Sequence, residues 1–250
     1  MKNLTDTLLN KIDEIVRKSN KELISLHEPD FKGTNALKYT KDCIDSGWVS
    51  SAGKWVDTFE NEICKFTGSK NAIAVSNGTV ALRLSLYVMG VRAGDEVLLP
   101  PMSFVATANA ISHLGAIPHF IDIEPKTLSI CPLALKERLD KIIFIKKGKA
   151  YNKKTGRKIS AILPVHIFGN PADMNAIKEV SEEYAIPIIE DAAEALGSWI
   201  KLNSKRIHCG LFGDFGIISF NGNKIITTGG GGILLTNNDK NASLARHLST

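Results

Sequence analysis

From residue 71 onward, short apolar runs alternate with stretches whose apolar positions recur at helical spacing. AIAV (72–75) precedes TVALRLSLYVM (79–89), which Gly90 stops; EVLLP (96–100) precedes SFVATANAISHL (103–114), which Gly115 closes. PHFIDI (118–123), SAILPVHIF (160–168), the helical DMNAIKEVSEEYA (173–185) and IPIIED (186–191) follow, then FGIISF (215–220) and GGILLTN (231–237). The strand-like runs are almost continuously apolar, so both of their faces must be covered. That pattern predicts an α/β protein: a mostly parallel sheet with helices on both faces. Before residue 71 the pattern is helical. The opening MKNLTDTLLNKIDEIVRKSN is amphipathic, with Leu8, Leu9, Ile12, Ile15 and Val16 near one face. A loop, a helix, a Gly/Ser-rich turn and a second helix ending at Gly68 come next. The expected organisation is a helical segment over 1–70 packed on a large domain over 71–250, with no internal repeat or low-complexity linker.

Composition changes this picture little. The chain has 250 residues, 44% hydrophobic and 23% charged, enough for one large domain or two small ones. The net charge of +5 suits an anionic substrate but does not indicate nucleic-acid binding. The richest basic run, KKGKAYNKKTGRK (146–158), has one aromatic and no nucleic-acid motif, and reads as a solvated loop or exposed hairpin. Cys43, Cys64, Cys131 and Cys209 are widely spaced, which suits reduced thiols in a cytoplasmic protein. The N-terminus lacks the apolar core of a signal peptide, and no stretch is long enough to span a bilayer. No His/Cys/Asp/Glu cluster has metal-ligand spacing, so no metal is expected.

In open α/β sheets, ligands gather at the carboxyl ends of the strands, so the residues after each apolar run are the candidates. After AIAV, SNGTVAL turns the chain into a helix through small residues. Its free amides are an anion site in principle, or the turn is only a cap made by Ser76, Asn77 or Thr79. Phe104, after EVLLP, either stacks on a flat cofactor or fills the core. Glu190 and Asp191 end a strongly apolar run, where a carboxylate needs a partner: a bound cation or the cap of the next helix. His166 is a substrate contact or a hydrogen-bonded core residue. Ser219 and Lys224 arrive at the same edge in SFNGNKIITTGGGG. A partly desolvated lysine can serve as an amine nucleophile; an exposed loop lysine is the alternative. One ligand unites these pieces. Pyridoxal 5′-phosphate needs a phosphate cradle, an aromatic on its ring, a carboxylate for the ring nitrogen and a lysine for its aldehyde.

The segments SNGTVALRLSLYVMGVRAGDEVLLPPMSFVATANAISHLGAIPHFIDIEP, LPVHIFGNPADM, IIEDAAEALGS and GDFGIISFNGNKIITTGGGGILLTN together resemble the DegT/DnrJ/EryC1/StrS family of nucleotide-sugar aminotransferases. The resemblance runs from about residue 25 to the C-terminus. SLHEPDF, GWVSSAGKWVDTFE and NKIITTGGGG resemble most the members of legionaminic acid and related aminosugar pathways. It implies an aspartate-aminotransferase-like large domain of fold type I. Lys224 matches the Schiff-base lysine, Asp191 the partner of the pyridine nitrogen and Phe104 the aromatic on the ring. Gly78 and Thr79 match the backbone phosphate cradle and Ser219 its side-chain ligand. Glu194 stands where many members have glutamine near the ring hydroxyl, and NGN before Lys224 also departs from the commoner pattern.

What the resemblance implies functionally is transfer of an amino group, with L-glutamate as donor, to a nucleotide-linked 4-keto-6-deoxy sugar in surface-polysaccharide or nonulosonic-acid biosynthesis. A homodimer without nucleic-acid or membrane partners is expected. Family members carry a smaller C-terminal domain, whereas this chain stops at DKNASLARHLST, which reads as the middle of a helix. An inactive cofactor-binding fragment is therefore one alternative. A sugar dehydratase of the same family is another, although such members replace the lysine by histidine and Lys224 is present here.

Overall fold

A computed structural model of the chain describes residues 3–16, 28–202 and 204–250. The end of the opening helix pattern and Ser25–His27, at the start of SLHEPDF, lie outside the described residues. The elements in chain order begin with α1 (Leu4–Val16), α2 (Ala36–Ser46), α3 (Lys54–Thr67), β1 (Asn71–Val75), α4 (Gly78–Val88), β2 (Glu96–Leu99), α5 (Val105–Ser112) and β3 (Ile117–Phe120). They continue with α6 (Pro132–Ile142), β4 (Ile143–Lys146), β5 (Lys149–Asn152), β6 (Ile159–Ile162), α7 (Met174–Tyr184), β7 (Ile189–Asp191), β8 (Trp199–Leu202) and β9 (Lys205–His208). β10 (Phe215–Ser219), β11 (Gly232–Thr236) and α8 (Asp239–Ser249) complete the chain.

Two sheets, ordered β1-β11-β10-β7 and β3-β2-β6, meet through parallel bridges Ile162–Ile188 and Val165–Asp191. Together they form a continuous layer in which β11 alone runs against its neighbours, among the described residues. The mostly parallel sheet is therefore as the apolar runs predict. Alternation within single strands assigns the two faces. Val97 and Leu99 of β2 pack with Leu82 and Leu86 of α4, Ile111 of α5 and Ala245 of α8. Leu98 points the other way, into Leu135 and Leu139 of α6 and Ile177 of α7. Each fully buried leucine of this kind contributes about 1.5–3 kcal/mol. On β10, Ile217 joins the first face while Ile218 joins Ile63 of α3. Among the N-terminal helices, α3 buries Glu60, Ile63 and Thr67, whereas α1 and α2 bury no residue.

The helix ends obey local chemistry. Gly68 closes α3 at φ 82°, the left-handed cap that glycine adopts without strain. Asn77, Asp173 and Asn238 cap α4, α7 and α8 through their side chains. The Asn238 cap changes the reading of the last residues: DKNASLARHLS is the opening of a helix with its own start signal, not a helix interior.

Three other departures have physical reasons. The strand expected over 160–168 stops at Ile162, because Pro164 has no amide to give, and residues 167–169 form a short 3-10 turn. Helix α6 and the β8/β9 hairpin have no counterpart in the expected elements. In the hairpin, Lys201, Lys205 and Arg206 break an already brief alternation. The basic run is an exposed hairpin at its start, where β4 and β5 pair antiparallel around Lys147–Gly148. All four cysteines are free. Among the described residues no helix is long and apolar enough to cross a membrane.

Candidate cofactor and active site

The turns after β1, β2, β7 and β10 open on one edge of the sheet. Because β11 runs the opposite way, its first residue, Gly232, reaches that edge too, paired with Ser219 and Val75. The glycine run is thus brought against the first turn of α4.

There Asn77 Oδ1 accepts from Val80 N at 2.8 Å, and the Asn77 carbonyl accepts from Ala81 N at 3.1 Å. The amides of Gly78 and Thr79 precede the intrahelical ladder and lie at the positive end of the helix dipole. Ser219 stands beside them: a Cβ built on Gly78 would lie 3.0 Å from Ser219 Cβ and 3.3 Å from its Oγ. A Cβ on Gly232 would fall 2.4 Å from the Asn77 carbonyl carbon and 2.6 Å from Gly78 N. These glycines let three backbone segments converge where side chains would fill the space. The result is an anion cradle of two amides and a hydroxyl.

Asp191 ends β7 in the interior, 5% exposed. Its Oδ2 accepts from Thr107 Oγ1 at 2.7 Å and its Oδ1 from Ala193 N at 3.2 Å. Burial pushes its carboxyl above the usual carboxylate range; these two donors and the charges of His166 and Lys224 offset part of that. A buried carboxylate in this condition is suited to a cationic partner.

Lys224 supplies the amine. Its side chain is only 12% exposed, and Nζ donates to Glu194 Oε1 at 2.9 Å. Nζ also lies 6.0 Å from the centroid of Phe104. Phe104 is the N-cap residue of α5 and is 72% exposed, so it is a ring presented at the edge rather than a core residue. Glu194 Oε2 accepts from the amide of Phe168 at 3.1 Å. A cavity of about 740 Å³ opens on Lys224, Glu194 and Phe168.

His166 requires a correction. It is 1% exposed, its Nε2 donates to Glu190 Oε2 at 3.0 Å, and its Nδ1 accepts from Ala172 N at 3.1 Å. With both nitrogens engaged and no surface, it offers a substrate nothing; it is a core histidine behind Asp191. Glu190 is neither a cation ligand nor a helix cap. It accepts from the amides of Gly210, Phe212 and Gly213 at 2.8, 2.7 and 2.7 Å, which fastens the loop before β10. Thr107 was not among the expected site residues. Its place one turn after Phe104, on the buried side of α5, is the signal that could have found it. Among the described residues no group of three or more His, Cys, Asp or Glu is placed to hold a metal ion.

These residues fit pyridoxal 5′-phosphate on three counts: a cradle that a Cβ would fill, a buried carboxylate suited to a cation, and a mostly buried amine. A sheet of this order carrying such an edge has the architecture of the fold type I aminotransferases. Within that class, the chain belongs to the DegT/DnrJ/EryC1/StrS aminotransferase family, whose profile matches residues 31–250. Aminotransferases of this family depend on pyridoxal phosphate, and that is the cofactor for which this site is built.

The chain is 41% identical over 217 residues to the GDP-perosamine synthase of Vibrio cholerae, covering 87% of this chain and 53% of that protein. The aminotransferase TlmJ of Streptoalloteichus hindustanus superposes with a TM-score of 0.76 at 32% identity, over 90% of this chain and 56% of that one. DesI, crystallised in the presence of its TDP-sugar product, superposes with a TM-score of 0.77 at 26% identity, over 92% of this chain and 53% of that one. The chain thus spans about half the length of the relatives it matches.

Proposed function

We propose that this chain is the cofactor-binding part of a sugar-nucleotide transaminase, which moves an amino group from L-glutamate to a nucleotide-linked 4-keto-6-deoxy sugar. The observation that carries the proposal is the position of Lys224. Its amine is mostly buried, 2.9 Å from Glu194, at the edge where the anion cradle and Asp191 also open. The names of the relatives, a GDP-perosamine synthase and an enzyme with a TDP-sugar product, support a nucleotide sugar as acceptor. Surface-polysaccharide or nonulosonic-acid biosynthesis is the setting that accords with this chemistry.

Pyridoxal phosphate, when bound, supplies an aldehyde and an electron-withdrawing ring. The chain's residues divide the remaining work. Gly78, Thr79 and Ser219 bind the phosphate, Phe104 covers the ring and Asp191 holds the proton on its nitrogen. Thr107 orients Asp191. Lys224 tethers the cofactor and, once displaced, moves protons as general base and acid. Glu194 accepts a hydrogen bond from that amine and keeps it aimed into the site.

A cytoplasmic homodimer accords with the same reading. The four free thiols suit a reducing compartment. Trp48 and Val49, 62% and 72% exposed in the GWVSSAGKW segment, suit a partner's cover.

The test is a mass map of the purified protein incubated with pyridoxal phosphate and reduced with borohydride. A pyridoxyl adduct on Lys224, absent from Lys224→Ala, is the expected result. Folded protein whose Lys224 stays unmodified, in this chain and in one extended to the length of its relatives, would refute the assignment.

A further inference from the structure

Phe168 is a bulky residue in the left-handed region, at φ 52° and ψ 26°. A side chain there costs about 1–3 kcal/mol and persists only where its surroundings over-determine it. The surroundings do so here. The His166 amide donates to the Asp191 carbonyl at 3.0 Å, and Phe168 N donates to Glu194 Oε2 at 3.1 Å. Ser198 Oγ donates to the Gly169 carbonyl at 2.7 Å. Asn170 Nδ2 reaches the Thr127 carbonyl at 3.3 Å. Gly169 follows at φ 77° and packs so tightly that a Cβ would meet the Glu194 carbonyl oxygen at 2.8 Å. All this structure holds an aromatic ring that contributes nothing to the core: Phe168 is 81% exposed.

The ring borders the cavity that contains Lys224, with Tyr39 and Ile226 also on its wall. A single carboxylate links it to the chemistry, since Glu194 accepts from Phe168 N with one oxygen and from Lys224 Nζ with the other. We infer that Phe168 is a specificity-determining residue, whose ring is the platform for the apolar face of the acceptor's 6-deoxy sugar.

The inference rests on the proposed transaminase function. The acceptor's reacting carbon must come to the amine that Lys224 handles, so the group beside Phe168 is the sugar. The nucleotide lies a diphosphate further away. A deoxy sugar has a C–H face and a methyl group that an exposed ring covers well, while its hydroxyls remain for polar groups. The strain sets the ring's position: a relaxed backbone at residue 168 would release the hydrogen bond to Glu194.

The test is Phe168→Gly, which tolerates a positive φ and removes the ring without threatening the fold. Phe168→Tyr keeps the ring as a control. Cofactor-loaded wild-type and variant proteins are titrated calorimetrically with a GDP-linked 4-keto-6-deoxyhexose and, separately, with GDP. Borohydride fixation at Lys224 and the spectral response to L-glutamate are followed in parallel. The expected result is that affinity for the sugar nucleotide falls about tenfold or more in Phe168→Gly, as loss of a stacked ring in a binding site implies. Phe168→Tyr should stay near wild type, while GDP affinity, fixation and the glutamate response do not change. Equal weakening toward GDP would overturn the inference, since the ring would then serve the nucleotide. Unchanged sugar affinity, or a lost glutamate response, would also overturn it. A wild-type protein that is fixed at Lys224 but binds no sugar nucleotide would overturn both this inference and the proposed acceptor class. Absent fixation would instead sink the transaminase reading itself.

Discussion

Thr107 Oγ1 donates to Asp191 Oδ2 across 2.7 Å, joining the buried side of α5 to the carboxyl end of β7. The bond spans 84 positions of sequence and ties the helix that Phe104 opens to the carboxylate assigned to the ring nitrogen. A hydrogen bond to a charged, desolvated acceptor is worth about 1.5–3 kcal/mol. Thr107→Val should therefore weaken the cofactor by roughly tenfold or more, in line with the tenfold-per-1.4 kcal/mol relation. A spectrophotometric titration with pyridoxal phosphate measures this; wild-type affinity in Thr107→Val would remove Thr107 from the site.

Asp191 makes the cofactor-free protein sensitive to pH. Burial holds its folded-state pKa above the unfolded value. Between those two values the folded state binds more protons, so this group's contribution to stability is fully present below the ordinary aspartate range and is lost as pH rises through the raised one. Asp191→Asn removes the term. Urea denaturation should show the variant gaining stability relative to wild type from acid to neutral pH when cofactor is absent. Added pyridoxal phosphate should stabilise the variant less than wild type. A constant difference across pH would contradict the assignment of the shift to Asp191.

Gly232 faces backbone, not side chains, at 2.4–2.6 Å from where a Cβ would sit. Gly232→Ala should destabilise the protein by about 1–3 kcal/mol or more and loosen the phosphate cradle, since the Asn77–Gly78 peptide has to move. Gly222→Ala is the comparison: its nearest neighbour would be 3.8 Å away, an ordinary contact. Chemical denaturation of the two variants should separate them clearly.

Glu190 is fully buried and accepts from three consecutive-loop amides and His166. Glu190→Ala strands these donors without water and should cost about 3–5 kcal/mol. Differential scanning of the cofactor-free protein would register a large drop in Tm; a loss similar to a surface substitution would mean that water enters and replaces the carboxylate.

Cys209 is a buried thiol that its surroundings, chiefly desolvation and then the nearby Glu190, push up to about 12. It should resist iodoacetamide at neutral and mildly alkaline pH and react only on unfolding. Peptide mapping before and after denaturant distinguishes this from the partly exposed Cys43, Cys64 and Cys131.

Much of the molecule was legible in its sequence because the signals are local. The apolar runs at 72–75, 96–99 and 215–219 mark strands, and Gly68, Asn77 and Asp173 mark helix ends, through chemistry that operates within a few residues. The same locality placed Lys224, Asp191, Phe104 and Ser219 after strands or at helix starts, and so on one edge. The tertiary structure decided what depends on distant partners. It alone turned His166 from a candidate contact into a core residue, because Glu190 and Ala172 take both ring nitrogens. Only the fold could show that Thr107 reaches Asp191, that Glu194 stands between Lys224 and Phe168, and that β11 runs backward to set Gly232 against Asn77. Sequence spacing records which face of a helix or strand a residue occupies. Hydrogen-bond partners and close backbone approaches are fixed by how those faces meet, and that is settled only when the whole sheet and its helices pack.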